Sequence, residues 1–489
     1  MQLSLNFTLD EMLYSDTAKR HGFRNDMHDP DIIVPNLKAL CEKVLQPTRD
    51  HFGPLVVSSG YSNNTLSLLL GRKLTSQHCF DDKTEILTTT GWKSLKNISP
   101  NDIPFSYNIQ TGFIEKDELL DIIMRPYKGI LFGTSTKNID YRVTDKHRML
   151  VAYTPHENKA PKWFIEEASK CHNKRLLFLT SALINNIKSC YNLDMLKLCM
   201  AIIADGCVYQ KKNTNSPIIR FNISKQRKID FLENLFQKLN ITYQKRYCSS
   251  REKQGQFGVY EITLNQTNAL PFVNIIGPNK LIPNWFLDLS SDELKELVYT
   301  YSFFDGSKDI RNTDWTYQAI FSKNKHNIDM LQAMCIMSGL RASISYREGK
   351  SNFGDNHIYE MSFVPKNVSR VNEDKYFTEN YDGYVWCIQT KNSTLICRRN
   401  GKAFVCGNCR GQAADIVSKR VLNYDIAKWI SEHLDFDQLI YECRRRGVNG
   451  PYYDWVHVSY RNDGKNRNEV LYSPPGGGYR SGLPEKSYV

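Results

Sequence analysis

Three residues have the type and position to cut and rejoin the chain: Cys79, Asn408 and Cys409. The Cys79 thiol can attack the carbonyl carbon of His78 and turn a peptide bond into a thioester. The Cys409 thiol can take over that acyl group, and the Asn408 side-chain amide can cyclise onto its own carbonyl and release Cys409. A sulfur-to-nitrogen shift then leaves an ordinary His78–Cys409 amide. What the two junctions interrupt gives reason to expect this chemistry. With residues 79–408 removed, "TSQH" runs into "CRGQAADI", which creates the pattern S-x-H-x-x-G-x-A-x-D. His78 and Asp415 become near neighbours across Gly411, which permits a tight turn, and the two side chains can converge on one ion. Further on, "DWVHVSY" places His457 in an alternating apolar and polar run, the pattern of a strand. Two imidazoles and one carboxylate leave a fourth zinc position open, as a hydrolytic centre requires.

On these residues, and on "NFTLDEMLYSDTAKRHG", "NLKALCEKVLQPTRDHFG" and "VVSSGY", the flanks resemble the zinc D-Ala-D-Ala carboxypeptidase superfamily, which includes phage L-alanyl-D-glutamate endolysins. The resemblance implies an α+β peptidase with His78, Asp415 and His457 as Zn²⁺ ligands. It implies Asp454 as the base that takes a proton from the attacking water, with Glu442 as second choice. Relatives carry Arg where this chain has Ser62, and Arg72 is a candidate substitute.

The interrupting segment resembles an intein. "CFDDKTEILTTTGWKSLKNI" is similar to the N-terminal splicing block, with Gly91-Trp92 expected at a turn, and "YRVTDKHRMLV" is similar to the T-x-x-H block. "YVWCIQTKNSTLICRRNGKAFVCGN" is similar to the two C-terminal blocks. The resemblance implies an all-β Hint splicing domain in which Thr144 and His147 contact the scissile amide and His147 protonates the leaving nitrogen. Cys387 would activate the junction nucleophiles. Gly407 stands where inteins usually carry His, so a slower final cyclisation is expected. A zinc knuckle of Cys387, Cys397, Cys406 and Cys409 is the competing reading, but their spacings fit such a site only loosely.

Between the splicing blocks lies an internal repeat. "LKLCMAIIADGCVY" is echoed by "LVYTYSFFDGSKDI", and Asp205, Ser224 and Ile229 find counterparts in Asp305, Ser322 and Ile328. Two such units predict a pseudo-twofold domain. It resembles the LAGLIDADG homing endonucleases, which implies an α+β fold, Asp205 and Asp305 as Mg²⁺ ligands, and double-stranded DNA as partner. "NKLIPNW" places Lys280 where that family has a basic residue near the cleavage centre. Met200 and Thr300 replace the close-packing Gly of the family pattern.

Composition agrees with several domains: 489 residues, 41% hydrophobic and 24% charged. The net charge of +12 is concentrated in 79–408, a basic field suited to a polyanion. The thirteen cysteines are scattered, as expected of free thiols in a reducing cytoplasm. No basic, apolar leader opens the sequence, and a monomer without a membrane span is expected. The expected organisation is a peptidase in two parts, 1–78 and 409–489; a splicing domain in two parts, 79–180 and 365–408; and an endonuclease at 181–364. The peptidoglycan peptide is the expected partner of the rejoined flanks. The alternative is a DNA endonuclease or DNA-binding protein that does not splice and keeps relic flanks.

Overall fold

The computed structural model describes the whole chain except residues 23, 26–29, 62–78, 156–158, 187–188, 211–215, 249–257, 309–316, 348–349, 352–353, 356–357, 408–412, 446–449, 461–465, 476–479 and 488–489. His78, Asn408, Cys409, Ser62 and Arg72 lie outside the described residues. The chain divides into two compact units, Met1–Ser76 with Cys409–Val489, and Gln77–Asn408. Among the described residues no helix is long and apolar enough to cross a membrane.

The first unit is built on a six-stranded sheet in the order Val56–Ser59, Ala413–Val417, Tyr452–Ser459, Gln438–Arg445, Glu469–Ser473, Arg480–Ser481. Its first strand comes from before the long insert and pairs antiparallel with a strand from after it, Val57 facing Ile416 and Ser59 facing Asp415. Alternation puts Ala414, Ile416, Leu439, Tyr441, Val456 and Val458 on one face. There they share a core with Val44 and Leu45 from before the insert and Ile426 and Ile430 from after it. The core draws on residues from both parts.

In the second unit, Phe80–Asp81, Tyr376–Thr390, Leu119–Ser135 and Asp140–Val143 close a barrel. Leu119–Ser135 and Tyr376–Thr390 pair from Leu119↔Thr390 to Thr134↔Tyr376, although the internal repeat separates them in sequence. Gly91, at φ +96°, opens the strand Gly91–Ser94 after a turn at Thr89-Thr90. The expected turn at Gly91-Trp92 therefore falls two residues earlier, and Trp92 is a strand residue.

The repeat appears as two helices, Leu193–Asp205 and Ser291–Asp305, each passing directly into a strand at Gly206 or Gly306. Asn192 caps the first through the Asp194 and Met195 amides, and Ser290 with Glu293 forms a capping box on the second. Both glycines are required. A Cβ at Gly206 would lie 2.8 Å from the Ile202 oxygen, and one at Gly306 would run into the Ser302 carbonyl. Met200 and Thr300 are accommodated in the domain's interior, and the Thr300 hydroxyl donates to the Glu296 carbonyl at 2.8 Å.

The expected boundaries at 180/181 and 364/365 do not separate independent bodies. The strands of the second repeat, Gly306–Lys308, Tyr317–Ser322, Ile358–Val364 and Arg341–Arg347, continue into Lys402–Gly407 and Thr394–Arg399 as one sheet. Ser343 pairs with Lys402, and the Ile344 amide donates to the Gly401 carbonyl at 2.8 Å. An edge strand offers unpaired backbone groups, and here Lys402–Gly407 takes them up.

Candidate active sites

Cys79 is fully buried at the mouth of the barrel. Its amide donates to Thr144 Oγ1 at 3.0 Å, and the Thr144 amide donates to the Cys79 carbonyl at 3.0 Å. Thr144 thus holds the nitrogen that would leave in an acyl shift. His147 is buried three residues on, its ring 4.4 Å from that of Phe80. The pairing Phe80↔Trp386 and Asp81↔Val385, continued one residue, sets Cys387 across from Cys79. The Cys387 thiol points at the Ile388 carbonyl, 3.3 Å away. The C-terminal end arrives beside the same turn, because Cys406 pairs with Met149, two residues after His147. A Cβ at Gly407 would lie 2.9 Å from Arg148 Cβ, so the position usual for His in inteins has no room here for a side chain. Cys397 and Cys406 face each other at 3.6 Å between their sulfurs, both fully buried.

The flank site forms on one face of the six-stranded sheet. His457 faces Asp415 on one neighbouring strand and Ile440 on the other, and His457 Nδ1 lies 2.8 Å from Asp415 Oδ1. Strand parity decides which carboxylate joins them. Glu442 faces Trp455, two residues from His457, and so shares their face. Asp454 is three residues from His457 and points the other way. It accepts hydrogen bonds from Tyr441 Oη at 2.6 Å and Asn423 Nδ2 at 2.8 Å. Of the two candidate bases, Glu442 thus lies on the face of His457 and Asp454 on the opposite one, because an odd separation along a strand reverses the face. Burial pushes the Glu442 carboxyl above the ordinary range, against the opposing pull of His457 and Arg444. An imidazole nitrogen beside a carboxylate oxygen fits zinc as two donors of a three-donor set. Among the described residues no cluster of three or more such donors is assembled, and His78 lies outside them.

At the ends of the repeat helices, Asp205 Oδ2 takes an ion pair from Lys228 Nζ at 2.5 Å. Lys280, at φ +54°, donates to the Gly206 carbonyl at 2.7 Å and the Ile203 carbonyl at 3.2 Å. Asp305 lines a cavity with Lys280, Tyr301, Ser322, Lys323 and Asn327. Burial, then the Asp205 carboxylate, push its carboxyl up to about 6, against Lys228 and Lys280. Two mutually repelling carboxylates beside lysines suit a divalent cation, which would relieve the repulsion. Sequence reasoning missed Lys228, although its place one turn into the "SKQRKID" helix was a readable signal.

Residues 194–277 match the LAGLIDADG-like domain family, so the chain carries a LAGLIDADG-like domain. Among curated proteins it is similar to the ribonucleoside-diphosphate reductase subunit beta of Aquifex aeolicus (strain VF5), 24% identical over 402 residues, covering 73% of this chain and 55% of that protein. The chain thus spans about half the length of that relative. Among solved structures it is similar to the homing endonuclease I-DmoI in complex with DNA and Mn, at 16% identity and TM-score 0.26, covering 35% of this chain and 91% of that one. It is also similar to the homing endonuclease I-WcaI bound to its DNA recognition sequence, at 11% identity and TM-score 0.26, covering 36% and 78%. The family match, rather than these superpositions, identifies the domain.

Proposed function

We propose that the chain is a self-splicing precursor. Residues 79–408 excise themselves and join His78 to Cys409, restoring a zinc-dependent peptidase of peptidoglycan peptides, while the LAGLIDADG-like domain in the excised segment cuts double-stranded DNA. The observation that carries this reading is the single sheet and core made by residues on both sides of the insert, Ser59 facing Asp415. A folding unit divided at the residues that bear the junction chemistry has a use if the insert leaves. The hydrogen bond from the Cys79 amide to Thr144 Oγ1 adds support. A match covering 73% of the chain runs through the middle segment, since the flanks are too short to contain it.

In the proposed sequence Cys79 Sγ attacks the His78 carbonyl carbon, and the nitrogen of Cys79 departs with a proton from His147 while Thr144 Oγ1 holds the amide. Cys409 Sγ displaces Cys79 Sγ. The Asn408 amide nitrogen attacks its own carbonyl, and the bond to Cys409 breaks. The freed amine of Cys409 then takes the acyl group from its own sulfur.

In the restored peptidase, His78, Asp415 and His457 would hold zinc, which supplies Lewis-acid activation of water and of the scissile carbonyl. Glu442 takes the proton, and its raised affinity for protons suits it to pass that proton to the leaving amine. In the LAGLIDADG-like domain, Asp205 and Asp305 would hold Mg²⁺, which neutralises charge at the scissile phosphate.

Intact-mass spectrometry after expression in a reducing cytoplasm tests the central claim. The expected result is a species of residues 1–78 joined to 409–489, beside a species of 79–408. A single 56.7 kDa chain, stable for days, would replace splicing with the non-splicing DNA-cleaving alternative. On the spliced product, Glu442→Gln is expected to cut peptidoglycan hydrolysis about a hundredfold or more while zinc stays bound, and Asp454→Asn to spare the rate. The reverse pattern returns the base to Asp454. For the nuclease, cleavage of a randomised double-stranded DNA library with Mg²⁺ should vanish in Asp205→Asn and Asp305→Asn.

A further inference from the structure

Arg398 and Arg399 follow one another at the end of Thr394–Arg399, so their side chains leave opposite faces of the strand. Both are buried, at 2% and 7% side-chain exposure. Arg398 meets Glu85 and Asp329. Arg399 takes part in none of the steps above, yet it is held as firmly. Its Nε and Nη2 lie 2.9 and 2.8 Å from Asp81 Oδ2, and its Nη1 lies 2.8 Å from Asp140 Oδ1.

These two carboxylates stand on the strands that carry the N-terminal junction. Asp81 ends Phe80–Asp81, which begins one residue after Cys79. Asp140 begins Asp140–Val143, which leads directly into Thr144. The strands pair through Phe80 and Val143, and the Thr144 amide bonds the Cys79 carbonyl. Asp140 is further fixed by Asn400 Nδ2 at 3.1 Å and Arg142 Nη1 at 3.2 Å. A planar guanidinium fork can bridge two carboxylates at fixed separation, which a flexible ammonium cannot.

We propose that Arg399 is a positioning residue for the first acyl shift: by bridging Asp81 and Asp140 it sets the strand of Cys79 against the strand of Thr144 and fixes the scissile amide on Thr144 Oγ1. This rests on the splicing reading. Arg399 touches no reacting atom and acts through strand alignment, to which acyl transfer is sensitive: a displacement of about 1 Å costs on the order of a hundredfold in rate.

The test uses the full chain and reads the two junctions separately. Thiol-induced release of residues 1–78 is followed in an Asn408→Ala background, and Asn408-dependent release of 409–489 in a Cys79→Ala background. Arg399→Lys keeps the charge and loses the fork. It is expected to slow the N-terminal release about tenfold or more and to leave the C-terminal release within about twofold. In parallel, iodoacetamide labelling mapped by mass spectrometry should rise at Cys79 while Cys199 and Cys335, buried in the LAGLIDADG-like domain, stay protected. Unchanged N-terminal release, or equal loss at both junctions with labelling of Cys199 and Cys335, overturns the proposal. If the parent chains cleave at neither junction, the splicing reading fails on its own, and unchanged Cys79 labelling in Arg399→Lys then removes the clamp as well.

Discussion

In the first half of the LAGLIDADG-like domain the Asp205 helix leads into a four-stranded sheet that ends at an exposed edge, Gln244–Cys248. In the second half the strand in the same place, Arg341–Arg347, pairs onward with Lys402–Gly407. The repeated helices tell the same story. Asp230 lies on an exposed helix face and takes a hydrogen bond from Gln226 at 2.6 Å. Its counterpart Asp329 receives the buried Arg398 at 2.7 Å, in a cluster with Glu85, Gln332 and the Trp92 ring. Lys228 neutralises Asp205, whereas at the same place in the second half Asn327 bonds the Lys280 carbonyl and the Ile282 amide. The family match covers 194–277, the half whose sheet ends at the exposed edge. One local pattern can thus serve two ends: the two halves share one core, but the first ends its sheet at an exposed edge and the second continues its sheet into Lys402–Gly407.

The largest break in that comparison should come from Arg398→Ala. Removing a buried cation leaves Glu85 and Asp329 without their partner, at a cost of about 3 kcal/mol or more. Urea denaturation of the full chain should register it, and Asp230→Ala in the first half should cost less than about 0.5 kcal/mol. Next come the helix-to-strand turns. Gly306→Ala and Gly206→Ala should each cost about 1–3 kcal/mol, with Gly306 the worse because the oxygens of both Ser302 and Ala319 crowd it. A thermal melt that ranks them the other way would point to the freer half as the tighter turn.

The acidic ends should differ in pH response. Asp305 binds its proton more tightly folded, at about 6, than in an unfolded chain, at roughly 4. Between those values the folded state carries more proton, so stability contributed by this group falls as pH rises across the window. With metal chelated, Asp305→Asn should flatten that slope and add about 2 kcal/mol near neutral pH, after allowance for solvent screening. A slope unchanged by Asp305→Asn would remove the asymmetry. A smaller effect than that of Asp305→Asn is expected from Lys228→Met, about 1 kcal/mol, read as the difference in melting temperature from the parent.

What could be read along the chain were features fixed by local chemistry. Both repeat helices end in Asp-Gly, and the carbonyl four residues before each glycine leaves no space there for a Cβ. Alternation in "DWVHVSY" made a strand of Tyr452–Ser459. The meeting of Cys79 with Thr144 was implied by the resemblance of "YRVTDKHRMLV" to the T-x-x-H block. Glu442 could not be chosen over Asp454 in that way, since the choice depends on strand parity relative to His457 and on which sheet face meets the core. Gly407 could be read only as an absent histidine, because the crowding atom belongs to Arg148 on another strand.

The sequence by itself determined the seam, the repeat and the residue types able to cut, join and hold metal, because each is written in order and spacing. Only the tertiary structure decided which carboxylate stands with His457, that Arg399 bridges Asp81 and Asp140, and that the second repeat shares its sheet with Lys402–Gly407 and Thr394–Arg399. Those outcomes depend on register between segments far apart in the chain. A shift of one residue reverses every side chain, and no local pattern fixes it.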